Sequence, residues 1–211
     1  MSLFIETSLN FTCVWRLIMP QMKQSLIHTA LKLFNQQGVN AVPVNHIIKA
    51  MDLSPGNFYY YFTDRNALVR EILEDMISQW EQKGALSPNT LSPMGAFVAL
   101  GNQLKGFLQK YTFIYRDLAL LEQVDPEFKQ RFHSFEALRK EEVQIMLNKL
   151  MQFGSLKPMG LDVLVFLSET LWIIALHWIS FAPNPEDHKS PQSLEVQVRM
   201  LLAPYVSHSY Q

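Results

Sequence analysis

The chain has 211 residues, with 18 Lys and Arg against 19 Asp and Glu, a formal net charge of −1, 48% hydrophobic and 18% charged side chains. That is enough apolar surface to bury a core and too little charge for a disordered tail. With 8 Gly and 11 Pro the chain lacks the turn density of a β-sandwich, and the lone Cys13 excludes an internal disulfide and a thiolate zinc site, so an all-α protein of a reducing cytoplasm is expected.

Residues 1–19 carry scattered apolar side chains (Phe4, Ile5, Leu9, Phe11, Val14, Trp15), but no basic cluster precedes them and no small-residue cleavage site follows, so they are not expected to be a signal peptide. They read as a poorly ordered extension or a mis-called start, since Met19 and Met22 both stand just before the first patterned segment. From Met22 to Gln37, Leu26, Ile27, Ala30, Leu31 and Phe34 follow the spacing of an amphipathic helix, which Gly38 stops. Pro43 opens a second, short helix that buries Val44, Ile47, Ile48 and Met51. Ser54 and Pro55 then supply an N-cap and a first helical residue for a third helix, Pro55 to Phe62. Three short helices with a tight turn between the last two are the layout of a helix-turn-helix, here spanning 20–66.

A longer helix is predicted from Thr63 or Asp64 to about Lys83, with Leu68, Ile72, Met76 and Trp80 at intervals of four. The loop Gly84 to Pro93 follows, and then helical patterns at about 94–111, 113–122, 126–152, 159–182 and 192–206, which make 67–211 a helical-bundle domain. Leu161 to Ala182 has the length of a membrane span, but Asp162 and Glu169 within it favour a buried helix of a water-soluble protein. Apolar nearly all round, that helix needs partners on both sides. Together with the helix carrying Leu194, Val198, Leu201 and Leu202, it is expected to form the two-fold interface of a homodimer.

The chemistry concentrates in the third helix. At about 100° per residue, Phe58 and Phe62 share a buried face while Gly56, Asn57 and Tyr60 point away. A small residue, an amide with a donor and an acceptor, and an aromatic ring suit the major groove, although three consecutive tyrosines also suit a plain packing helix. Lys23, Lys32, Lys49 and Arg65 against Asp52 and Asp64 give this head a net +2 on an otherwise acidic body, a weak footprint for nucleic acid. No Gly-x-Ser-x-Gly, phosphate loop or His-Glu-x-x-His is present, so no enzyme is expected. Glu186-Asp187-His188 reads as a solvated loop rather than a metal site, and no cofactor is implied.

The run Ile27 to Leu68, with Ala30, Phe34, Gly38, Ile47, Ser54, Gly56, Tyr59, Phe62 and Leu68 at these spacings, resembles the N-terminal domain of the TetR family of bacterial transcription regulators. Tyr111 to Leu118, Asp125-Pro126 and Trp178 to Phe181 are similar to one subgroup, whose all-helical C-terminal domain is described as a bacterial transcriptional repressor domain. The resemblance implies groove contacts from Pro55, Gly56, Asn57 and Tyr60, and phosphate contacts from Tyr59, Tyr61 and Arg65. Arg65 stands where the family usually has Lys. Val42 and Pro43 replace the family's usual hydroxyl residues at the start of the second helix, and Asp52 replaces the Gly of the turn, where Asp tolerates the left-handed conformation better than most residues. The resemblance also implies an effector pocket in the body. Its aromatic inventory favours an apolar or planar molecule, with Tyr111, Tyr115, Phe132 and His177 as candidate lining residues. The expectation is a dimeric cytoplasmic repressor released from a palindromic operator by a small effector; the competing expectation is a helical interaction module without DNA binding.

Overall fold

The computed structural model describes residues 21–83, 104, 106–181 and 194–207; the N-terminal extension, the loop Gly84 to Pro93, Glu186-Asp187-His188 and the side chains of His177 and Trp178 lie outside the described residues. Two compact units divide the chain, Met1–Glu74 and Asp75–Gln211.

In the first unit, α1 (residues 21–37) buries Leu26, Ile27, Ala30, Leu31 and Phe34, the stripe that its spacing predicts. It ends where Gly38, at φ +87°, turns the backbone left-handed and donates its N–H to the Phe34 carbonyl at 2.8 Å. This is the single-bond left-handed cap that glycine makes without steric cost. Helix α2 (Val44–Ala50) buries Ile47 and Ile48. Pro43 is its N-cap rather than its first helical residue, in extended conformation at ψ 161°. The turn after α2 is a Schellman motif: Leu53 N–H donates to the Ile48 carbonyl at 3.0 Å and Asp52 N–H to the Lys49 carbonyl at 3.2 Å. Asp52 holds the left-handed position at φ +52°, as the sequence predicts.

Helix α3 (Pro55–Tyr61) starts with Pro55 at its first position; Ser54 is the N-cap residue, but its side chain makes no capping hydrogen bond. The carboxylate of Asp64 accepts from Ala67 N–H at 2.8 Å and so caps the start of α4 (Arg65–Lys83). Leu68, Val69, Ile72 and Leu73 of α4 are buried, so the head's core takes in the first turns of the long helix. An ion pair from Lys23 on α1 to Glu71 on α4 at 2.6 Å ties the two helices on the surface.

The second unit contains the rest of α4 and six further helices among the described residues. These are α5 (residues 106–110), α6 (Thr112–Arg116), α7 (Leu118–Val124), α8 (Pro126–Gln152), α9 (Leu161–Phe181) and α10 (Leu194–Leu202). The helix expected over 113–122 is divided at Asp117, which leaves helical geometry at φ −101° and ψ 13° to end α6 and begin α7. Asp125 caps α8 by accepting from Glu127 N–H at 3.1 Å and Phe128 N–H at 3.0 Å, with Pro126 at the first helical position. Gly154 at φ +73° ends α8 in a second Schellman motif, in which Ser155 N–H donates to the Leu150 carbonyl at 2.9 Å.

A leucine core joins Leu147 and Leu150 of α8, Leu156, Leu164, Leu167 and Leu171 of α9 and its approach, and Leu202 of α10. After α10, Pro204 imposes a short 3-10 turn, Ala203–Tyr205, and Val206 forms one antiparallel bridge with Leu156. The opposite side of α9 leaves Phe166 and Ile173 exposed in the single chain, and Leu161 is exposed at the start of the helix. No described helix is long and apolar enough to cross a membrane.

Candidate nucleic-acid interface

What α3 can present follows from what it must bury. Phe58 and Phe62, four residues apart, are both in the head's core, with ring centroids 5.7 Å from each other. That contact fixes the rotation of the helix, and Pro55, Gly56, Asn57, Tyr59 and Tyr60 are left exposed. Tyr60 is 67% exposed, an unusual position for a large ring on a helix with an available core. Its ring stands edge-on to that of Tyr61 at 4.9 Å, which orients it without covering it. Tyr61 is half-buried; burial, and then the neighbouring Tyr60, push its hydroxyl pKa up, so it stays a neutral donor. A Cβ added at Gly56 would meet only Ser54 Oγ, at 3.9 Å. The fold therefore does not require glycine there, and the open space lies on the outward side of the helix.

Arg65 sits one turn beyond α3. Its Nη1 donates to the Val39 carbonyl at 2.9 Å, which anchors the side chain across the loop after α1. A guanidinium carries five N–H donors in a fixed plane, so this anchor positions the group and leaves others to face solvent. The structure thus brings all seven predicted head residues onto α3 and the start of α4. It adds Asn45, His46 and Lys49, exposed on α2; of these the sequence pattern singles out Lys49 for its charge but none as a contact. The available signal was their place outside the Ile47 and Ile48 stripe. Small, amide, phenol and guanidinium groups with cations nearby can accept and donate at base edges and neutralise phosphates.

The candidate residues of the body have a different environment. Tyr111 and Phe132 are fully buried and Tyr115 nearly so. The Tyr111 hydroxyl donates to Asp75 at 2.9 Å, and that of Tyr115 points to the Met76 sulfur at 3.9 Å. Burial raises both phenol pKa values, with the charges of Asp75 on Tyr111 and Glu136 on Tyr115 adding to it. Phe132 stacks on Phe128 with centroids 5.9 Å apart and meets Tyr115 edge-on at 5.9 Å. A second row runs from Tyr111 through Phe107 to Trp80. Beside it stands a group that the sequence reading does not select: Arg139 of α8, buried, ion-paired with Glu142 at 3.0 Å and lying over the rings of Trp80 and Phe135. The side chain of His177 lies outside the described residues.

Residues 26–72 match the family described as "Bacterial regulatory proteins, tetR family", and residues 66–211 match "Bacterial transcriptional repressor". Over 55 residues the chain is 42% identical to the helix-turn-helix regulator YuxN of Bacillus subtilis, covering 26% of this chain and 19% of that protein. Over 62 residues it is 34% identical to the regulator QacR of Staphylococcus aureus, covering 29% of this chain and 33% of that protein. The chain thus spans a third or less of the length of these curated relatives. A solved TetR-family transcriptional regulator from Marinobacter aquaeolei superposes with a TM-score of 0.79 at 23% identity, over 89% of this chain and 92% of that one. This last likeness is one of fold.

Proposed function

Because the chain belongs to the TetR family of bacterial transcriptional regulators, which are not enzymes, we propose that it represses transcription from a palindromic operator and is released by a small apolar or aromatic effector. The observation that carries the reading is the outward face of α3. Asn57 would pair with a base edge, Gly56 would let the helix backbone approach the groove floor, and Tyr60 would reach a thymine methyl or a phosphate. Pro55 would lie against the groove wall, and Tyr59, Tyr61 and Arg65 would hold phosphates on either side. The head would comprise 20–66, and the body, 67–211, would bind the effector and dimerise.

A palindrome requires two heads. The exposed Leu161, Phe166 and Ile173 of α9, with Met200 of α10, support a two-fold interface built from these helices, since a lone chain leaves these side chains in water. The effector site is proposed among Tyr111, Tyr115, Phe132 and His177. Tyr111 and Tyr115 touch Asp75 and Met76 of α4, so a molecule entering there would displace that helix, whose earlier turns belong to the head. A change in the separation of two heads would then favour a state that no longer fits successive major grooves.

The test is fluorescence anisotropy of the duplex upstream of the protein's own gene, across a salt series, with random duplex as competitor. The reading predicts competitor-resistant binding that weakens with salt and is lost in Asn57→Ala or Tyr60→Ala. Binding to the random duplex with equal affinity, unaffected by either substitution, would favour a helical interaction module instead.

A further inference from the structure

Arg139 occupies a position on α8 where the helix otherwise buries rings. Phe128, Phe132 and Phe135 precede it on one stripe, and its side chain is only 8% exposed. Its Nη2 meets Glu142 Oε1 at 3.0 Å, while Nε and Nη1 are buried with no hydrogen-bond partner among the described residues. Its guanidinium carbon lies 5.3 Å from the ring centroid of Trp80 and 5.0 Å from that of Phe135. Trp80 is itself held by Glu142, which accepts its indole N–H at 3.3 Å. Buried donors in folded proteins nearly always find an acceptor, so two on one side chain call for an explanation. The planar group gives one. Nη2 lies between Nε and Nη1, so its two protons each complete one two-donor edge of the fork. Glu142 engages Nη2 through one oxygen, and the remaining edge, the other Nη2 proton with either Nε or Nη1, is left near the Trp80 and Phe135 rings for another acceptor, which would satisfy one of the two orphaned donors.

The charge nearby limits what that acceptor is. Glu142 already pairs with Arg139 at 3.0 Å, and the exposed Glu81 adds a weaker, solvent-screened attraction. A second anion would have to enter beside the Glu142 carboxylate, and a cation would face the guanidinium itself. From this geometry we infer that Arg139 is a recognition group for an uncharged planar arene bearing a carbonyl oxygen, which accepts from the guanidinium while the arene lies against Trp80, Phe135 and their neighbours. This rests on the reading of the body as a ligand-binding domain, and it specifies both the polar group of the ligand and the residue that reads it.

The test is calorimetric titration of the full-length protein, without DNA, with four naphthalenes that differ at one substituent. These are 1-acetylnaphthalene, 1-ethylnaphthalene, 1-naphthoate and 1-naphthylmethylammonium. The ketone is expected to bind about tenfold or more tighter than the hydrocarbon, as a hydrogen bond to a charged group in a buried site implies, and tighter than either ion. In Arg139→Met, with folding checked by circular dichroism, ketone and hydrocarbon should bind within about twofold of each other. Should that variant not fold, Arg139→Lys, which lacks the two-donor edge, is expected to shrink the same preference. Equal binding of ketone and hydrocarbon to the wild type, tightest binding of the carboxylate, an unchanged preference in the folded variant, or no binding of any of the four would overturn the assignment. Because no DNA is present, such a failure is separate from a failure of operator binding.

Discussion

Replacing Asp52 by Gly tests the physical account of the helix-turn-helix at its most strained residue. Asp52 is the one described residue other than Gly at positive φ, and it holds the turn through the Leu53 and Asp52 amide bonds to α2. The left-handed conformation costs an L-residue roughly 1–2 kcal/mol, with Asp at the low end. Gly escapes that cost but loses about 0.4–1 kcal/mol through the greater freedom of the unfolded chain. The difference predicts that Asp52→Gly stabilises the head by about 0.5 kcal/mol. Asp52→Ala keeps the strain without the local tolerance of Asp, and should lie about 1 kcal/mol below the Gly variant. Native-state hydrogen exchange at the Leu53 and Phe62 amides reads the head separately from the body, since both bonds lie within the first unit. An Ala variant as stable as the Gly variant would refute the reasoning.

Other substitutions separate folding from function. At Gly56 the added methyl of Gly56→Ala has room, so helix stability should rise by about 0.5 kcal/mol. Operator affinity should nevertheless fall at least about tenfold, because the methyl would stand where the groove floor approaches; unchanged anisotropy titrations would contradict that role. Phe58→Ala empties a fully buried site and should cost the head about 3–5 kcal/mol. The near-ultraviolet signal of the body's tryptophans is expected to survive it, and a joint collapse would contradict the two-unit description. Asp125→Ala removes both accepted N–H bonds at the start of α8 and should cost about 1–2 kcal/mol in urea denaturation of the body. For pH, the buried Tyr111 and Tyr115 have pKa values above the ordinary 10.0. Unfolding releases their protons above pH about 10, so stability is level below that point and falls by about 1.4 kcal/mol per pH unit for each tyrosine above it. Tyr115→Phe should remove one tyrosine's share of that slope, and an unaltered alkaline limb would count against its burial.

Much of the head was legible because its signals are local. Gly38, Pro55 and the Phe58 and Phe62 pair each specify a cap, a helix start or a helix rotation within a few residues. Asp52 is more instructive: the turn demands a left-handed residue, so the sequence could be read for the conformation even though the residue is not Gly. The capping role of Ser54 was less legible, because a cap position can be identified from residue type while the hydroxyl's hydrogen bond depends on its rotamer. In the body, the division at Asp117 escaped the apolar pattern, since Phe113, Ile114 and Leu121 fit one continuous helix as well as two short ones. Arg139 left a signal that periodicity alone would have caught. It continues the stripe of Phe128, Phe132 and Phe135 at helical spacing, and a guanidinium on a buried stripe requires partners. Glu142, three residues on along the same helix, was a nameable partner, whereas Trp80 was not, because it is distant in sequence and the contact is tertiary.

The central claim is that α3 reads a DNA sequence, and its most direct test is selection of bound fragments from sheared genomic DNA by the purified protein at physiological salt. The account predicts recovery of an inverted repeat whose half-sites are spaced by about one helical turn or a multiple of it, and loss of that enrichment in the Asn57→Ala, Tyr60→Ala double variant. Recovered fragments indistinguishable from the input, or the same motif enriched by the double variant, would contradict it.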